Sequence, residues 1–146
     1  MLEWSHQFET GHAVVDSQHR RLIGYINQLE EHALNVNPGS EQRESLSCLM
    51  DFLETYMQTH FTAEEECMNR FHCPAHLTNN KAHLEFLSFF RRYKRRLQAE
   101  GNRPEALQEL HEACKLWIQA HILRIDVRLN ECQGPGGPSG ARLPPI

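Results

Sequence analysis

Four stretches of this 146-residue chain carry apolar residues at spacings of three and four, and each is closed by residues that cannot continue a helix. The first starts near Asp16 as its cap, places Leu22, Ile23, Ile26 and Leu29 on one face, and stops before Asn37, Pro38 and Gly39. The second starts at Ser40 or Glu41 and runs Leu46, Leu49, Met50, Leu53, Met57, His60, Glu64, Cys67 and Met68 along one stripe to the breaker FHCP. The third follows Pro74 and passes Leu84, Leu87, Phe90 and Leu97 towards Gly101. The fourth follows Pro104 and turns Leu107, Leu110, Cys114, Trp117, Ile118, His121, Ile125 and Leu129 inward. No stretch shows the strict alternation of a half-buried strand. Short connections oblige consecutive helices to run antiparallel, so the expected fold is all-α: an antiparallel up-down-up-down four-helix bundle. The first fifteen residues, with Trp4 and Phe8 around Gly11, form an N-terminal arm packed over it. The folded domain is expected to span 1–132. From Gln133 the sequence QGPGGPSGARLPPI has too little apolar content to fold, and reads as a disordered linker or cloning remnant at 133–146.

Composition narrows the partners. A formal charge of -4 and a pI near 6.2 offer no global positive field for nucleic acid or anionic lipid. The local run Arg91-Arg92-Tyr93-Lys94-Arg95-Arg96 reads as a solvated helix face complementing the macrodipole. No apolar segment is long enough to insert into a membrane, and the N-terminus lacks the basic-then-apolar pattern of a leader. Cys48, Cys67, Cys73, Cys114 and Cys132 are odd in number without CxxC spacing, so they are read as reduced thiols of a cytoplasmic protein.

Ten histidines are the unusual count, and four of them occupy core-facing helical positions, one per helix: His19, His60, His83 and His121. His60 and Glu64 are four apart, which sets imidazole and carboxylate on one helix face with Cβ atoms roughly 6 Å apart. Asn79 and His83 share that spacing. Asp126 lies five beyond His121, a turn of about 140° on an ideal helix, so the two do not stack. Such an offset suits a carboxylate that reaches a second metal, or a local π-bulge. A single histidine on an apolar stripe is ordinarily a satisfied core residue. Four converging with two carboxylates are different, because the buried negative charges call for cations. Nitrogen and oxygen donors without thiolate suit iron, manganese or zinc, and the mixture favours two non-haem irons. The Glu-x-x-His design of ferritin-like bundles is absent from the stripes; Glu9 to His12 has that spacing but crosses Gly11 in the arm.

The segments WSHQFETGHAVVDSQHRRL, HFTAEEECM, KAHLEFL and WIQAHILRIDVRL together resemble a bacterial haemerythrin over roughly residues 1–132. The resemblance implies two non-haem irons joined by an oxo or hydroxo bridge and used to bind dioxygen. It implies His19 and His60 as terminal imidazoles on the iron that takes dioxygen, with Glu64 and Asp126 bridging both irons. His83 and His121 are implied as two of three imidazoles on the other iron. The third belongs to the residue four before His83, which here is Asn79, a departure from the family pattern. Three outcomes are open there: Asn79 ligates through its oxygen; water, hydroxide or a small anion fills the position; or that iron binds weakly. His72 and His76 are read as surface residues. Phe61, Trp117, Ile122 and Ile125 are candidate pocket residues that serve equally as core.

With an extra exchangeable position, the reduced centre is expected to oxidise faster than a carrier's. The domain is therefore read as an oxygen or redox sensor feeding a signalling partner, such as a fused C-terminal diguanylate cyclase or chemoreceptor output. It is not itself read as an enzyme. The alternatives are a stand-alone oxygen-binding or storage protein, a di-iron oxidase or peroxidase, and a metal-free or zinc-containing bundle.

Overall fold

The computed structural model describes residues 1–35, 40–101 and 103–132. Four helices account for most of them: α1 (Ala13–Leu34), α2 (Ser40–Arg70), α3 (His76–Glu100) and α4 (Pro104–Arg124). Short 3-10 turns flank the bundle at His6–Phe8 and Asp126–Glu131. Helix α1 packs on α2 and α4, and α3 packs on α2 and α4, the cyclic order of an up-down-up-down bundle. The expected all-α class is therefore the observed one. The tail at 133–146 lies outside the described residues.

Each stripe supplies the core in the order its spacing dictates. Leu22, Ile26 and Leu29 of α1 meet Leu53 and Met57 of α2, Phe86 and Phe90 of α3, and Leu107, Leu110 and Ile118 of α4 in one apolar cluster. The arm closes it: Leu2 and Phe8 are buried in the same cluster. The Leu2 backbone is pinned by Asn27, whose carboxamide accepts from its N–H and donates to its carbonyl, both at 2.9 Å. Trp4 lies half-buried under the Arg20 guanidinium, 4.7 Å from its ring centre.

Helix ends depart from the sequence reading at several points. Helix α1 begins at Ala13, three residues before Asp16. Asp16 does not cap it from outside; it sits in the first turn, where its Oδ1 accepts from the Thr10 N–H (2.9 Å) and hydroxyl (2.8 Å), tying the arm down. Helix α3 does follow Pro74 as expected, beginning at His76. Leu84, placed on the inner stripe of α3, is instead 68% exposed, because the buried face follows Asn79, His83, Phe86, Leu87 and Phe90.

Helix α2 ends in a Schellman closure: the Cys73 N–H reaches the Met68 carbonyl (2.9 Å) and the His72 N–H that of Asn69 (3.1 Å). This requires the left-handed conformation that glycine usually takes, here adopted by His72 at φ 52°. After α3, Gly101 takes a positive φ of 81° before Pro104 opens α4.

A second small cluster seals the end of the bundle. Val15, Cys67, Met68, Cys73, Ala75 and Leu129 are buried together there, with Ile125 packed against them. Cys73 and Cys132 form a disulfide across it. This corrects the reading of all five cysteines as thiols; Cys48, Cys67 and Cys114 are free. The sequence separation of 59 hid the pairing, which exists because α4 and its terminal turn return to the α2–α3 junction.

Two stability predictions follow from these closures. Cys132→Ser should lower unfolding free energy in denaturant titration, by at most about 4 kcal/mol from the lost loop constraint. His72→Gly should raise it by about 1 kcal/mol, since glycine carries no Cβ penalty at a left-handed position.

Candidate metal centre

The six polar residues singled out by their spacing meet in the bundle interior, all at 5% exposure or less. Glu64 is central because its two oxygens face opposite ways. Its Oε2 lies 3.2 Å from His19 Nε2 and 3.3 Å from His60 Nε2, while its Oε1 lies 3.4 Å from His83 Nε2. Asp126 divides likewise, with Oδ2 3.2 Å from His19 Nε2 and Oδ1 3.0 Å from His121 Nε2. His83 Nε2 and His121 Nε2 approach to 3.0 Å. Two overlapping donor groups result: His19, His60 and Glu64 on one side, and Glu64, His83, His121 and Asp126 on the other. Within each, ligand atoms lie within 4.8 Å of one another, so either could hold a metal ion.

Backbone geometry explains how Asp126 reaches this point. Helix α4 stops at Arg124, and Ile125 (φ -119°, ψ -57°) redirects the chain into the 3-10 turn that Asp126 opens. A helix end, not a π-bulge, therefore resolves the five-residue offset from His121. Leu129 and the Cys73–Cys132 disulfide anchor the same turn.

Electrostatics point to cations here. Burial opposes charge on His19, but hydrogen bonds to Asp126 and Glu64 prevail and push its imidazole up to about 10. Burial opposes charge on His83 too, yet hydrogen bonds to Glu64 and Glu65 raise it to about 9. For His60 burial dominates and lowers the pKa. Burial also disfavours the Glu64 carboxylate, but hydrogen bonds from His19, His60 and His83 hold it well below its ordinary range. Protons on buried imidazoles thus stand in for positive charge that the donor set is shaped to receive elsewhere. Asp126 Oδ1 reinforces this, being buried without a hydrogen bond although His121 Nε2 is 3.0 Å away. The two atoms converge on shared space rather than on each other. Four imidazole nitrogens and two carboxylates, with no thiolate among them, fit two non-haem irons.

Asn79 lies in the same interior at 0% exposure. Its Nδ2 donates to Glu64 Oε1 at 2.9 Å, leaving Oδ1 buried without a partner. The reversed amide would set oxygen against carboxylate oxygen, so the donor must face Glu64. His76 is half-buried at the start of α3 and His72 is exposed, and neither joins the donor groups.

Aromatic rings wall the His83–His121 side. Phe61 stacks on His83 with ring centres 3.8 Å apart and an angle of 6°. Trp117, half-buried, stacks on His121 at 4.4 Å and 11°. Ile122 is fully buried in the main core, whereas Ile125 packs on the disulfide cluster.

Two polar partners went unnoticed in the sequence. His60 Nδ1 donates to Gln18 Oε1 at 2.6 Å, and His83 Nδ1 donates to Glu65 Oε1 at 3.0 Å. Each is the chain neighbour of an inner-facing group, beside His19 and Glu64 respectively. That adjacency was the available signal, but which histidine each would reach depends on helix pairing.

The model of the hemerythrin HHE cation binding domain matches residues 10–130. A bacteriohemerythrin of Stenotrophomonas maltophilia is 30% identical over 122 residues, covering 84% of this chain and 74% of that one. One from Aquifex aeolicus is 27% identical over 118 residues, covering 81% and 86%. One from Pseudomonas aeruginosa is 27% identical over 125 residues, covering 86% and 76%. With its four-helix bundle and convergent histidines and carboxylates, this chain belongs to the haemerythrin family, whose non-haem di-iron centre binds dioxygen.

Proposed function

We propose that this domain is an oxygen or redox sensor, with His19, His60, Glu64, His83, His121 and Asp126 as iron ligands and Asn79 as an altered ligand position. The observation that carries the reading is the buried Asn79 carboxamide, bonded to Glu64 where an imidazole would complete the second iron. Each side of the centre then has two imidazoles and a share of two carboxylates. A di-iron centre supplies electrons and an exchangeable coordination position to dioxygen. With His19 and His60 on one side and His83 and His121 on the other, and Asn79 contributing no imidazole, each side would leave room for dioxygen, water, hydroxide or a small anion.

The protein residues set how long the reduced state lasts. A carrier depends on excluding water and anions from the reduced metals, which an imidazole at position 79 would do on that side. Asn79 offers a smaller carboxamide in its place, and the unpartnered Oδ1 can accept a hydrogen bond from an incoming protic ligand. The reduced form is therefore short-lived, which favours reporting over storage. Phe61 and Trp117, stacked on His83 and His121, cover those two imidazoles with aromatic surface.

The reading assigns the output to a partner, such as a diguanylate cyclase or chemoreceptor module joined after residue 132. It keeps the domain in the cytoplasm, although the Cys73–Cys132 disulfide removes the argument from reduced thiols. No described helix is long and apolar enough to cross a membrane.

Two experiments test the proposal. Glu64→Ala and His60→Ala should each reduce bound iron below two per chain by elemental analysis, whereas His76→Ala should leave it unchanged; full iron retention in Glu64→Ala would sink the ligand assignment. Asn79→His should slow air oxidation of the anaerobically reduced protein, followed by visible absorption, by about tenfold or more, as expected if an interaction of at least about 1.4 kcal/mol closes the position. An unchanged rate would remove Asn79 from the sensing argument.

A further inference from the structure

The outer nitrogens of the central histidines are held by chemically different groups. His60 Nδ1 meets a neutral carboxamide, Gln18 Oε1, at 2.6 Å. His19 Nδ1 is buried with no hydrogen-bond partner. His83 Nδ1 meets a carboxylate, Glu65 Oε1, at 3.0 Å. The carboxylate-backed imidazole thus lies on the side where Asn79 replaces a third histidine.

We propose that Glu65 is a positioning residue that fixes His83 as a donor and strengthens it, partly offsetting the imidazole missing at position 79. This rests on the reading of His83 as a metal ligand.

The geometry supports three separate effects. A carboxylate only accepts hydrogen bonds, so the neutral His83 ring must carry its proton on Nδ1 and point the Nε2 lone pair inward. That Nε2 lies 3.4 Å from Glu64 Oε1 and 3.0 Å from His121 Nε2, at the focus of the second donor group. The ring plane is also fixed: Phe61 covers one face at 3.8 Å, so the imidazole cannot swing without losing both contacts. Finally, the negative charge polarises the Nδ1–H bond and raises electron density at Nε2, which makes the imidazole a better donor and favours the more oxidised metal.

Glu65 can serve this role cheaply. Its side chain is 27% exposed, so its charge stays partly hydrated while one oxygen reaches inward. Helix α2 places it one residue after Glu64, about 100° around the helix axis, which directs it to the outer edge of the same imidazole that Glu64 meets from inside. One helical dipeptide thereby grips both nitrogens of His83.

The test compares the wild-type chain with Glu65→Gln and Glu65→Ala. Each metal-free protein is titrated with ferrous iron under anaerobic conditions, and the midpoint potential of the loaded protein is measured. Wild type should bind two equivalents. Glu65→Ala should bind the second equivalent about 10- to 100-fold more weakly, with the first changed little. Glu65→Gln keeps an acceptor of the same shape but loses the charge, so its second equivalent should weaken less while its potential rises. A role in packing alone would not raise the potential of this isosteric variant, and the Gln variant carries the test if the Ala variant does not fold. Wild-type affinity for the second iron in both variants, with an unshifted potential in Glu65→Gln, overturns the inference while leaving the di-iron reading intact. Failure of the wild-type chain to take two irons overturns both.

Discussion

Two carboxylates buried among four imidazoles set the terms for the whole molecule. Glu64 and Asp126 are each 1% exposed, and a carboxylate so placed is costly unless cations or hydrogen bonds compensate it. The bundle meets that cost by drawing one histidine from every helix towards them. Each carboxylate turns one oxygen to each side, so the centre is divided into two compartments joined by shared carboxylates. The apolar core below, from Leu22 and Leu53 to Leu110, holds the helices at the spacing that this convergence needs.

The end of the bundle around the centre is built for precision. Asp126 belongs not to α4 but to the turn after it, and a turn is normally less constrained than a helix. Leu129 and the Cys73–Cys132 disulfide remove that freedom by tying the turn to the α2–α3 junction. At the other edge Asp16 holds the arm through Thr10, within one helical turn of Gln18 and His19. The outer partners Gln18 and Glu65 then orient the imidazoles, while Phe61 and Trp117 hold ring planes by stacking. Asn79 is the exception in this arrangement. It secures Glu64 with one end of its carboxamide and leaves the other end unpartnered inside the site.

The bundle was readable because period and burial coincide: the stripe from Leu46 to Met68 is buried along its whole length. Leu84 misled for a related reason. On α3 the inner face is occupied by Asn79 and His83, so counting apolar residues alone rotated the stripe towards solvent. The HxxxE pair of His60 and Glu64 was legible because both lie on one helix. Glu65 and Gln18 were not, since their targets sit 18 and 42 residues away on other helices.

What the sequence determined alone was the set of helices, their antiparallel order and the polar residues on their inner faces, because all three follow from local periodicity and breaker residues. The resemblance carried by its histidine-rich segments supplied the kind of metal centre those residues serve. Only the tertiary structure decided which oxygen of Glu64 faces which imidazole, that Asp126 enters from a turn, that Cys73 pairs with Cys132, and that Asn79 binds Glu64. Those outcomes depend on the rotation and register of helices against one another, which no single segment encodes.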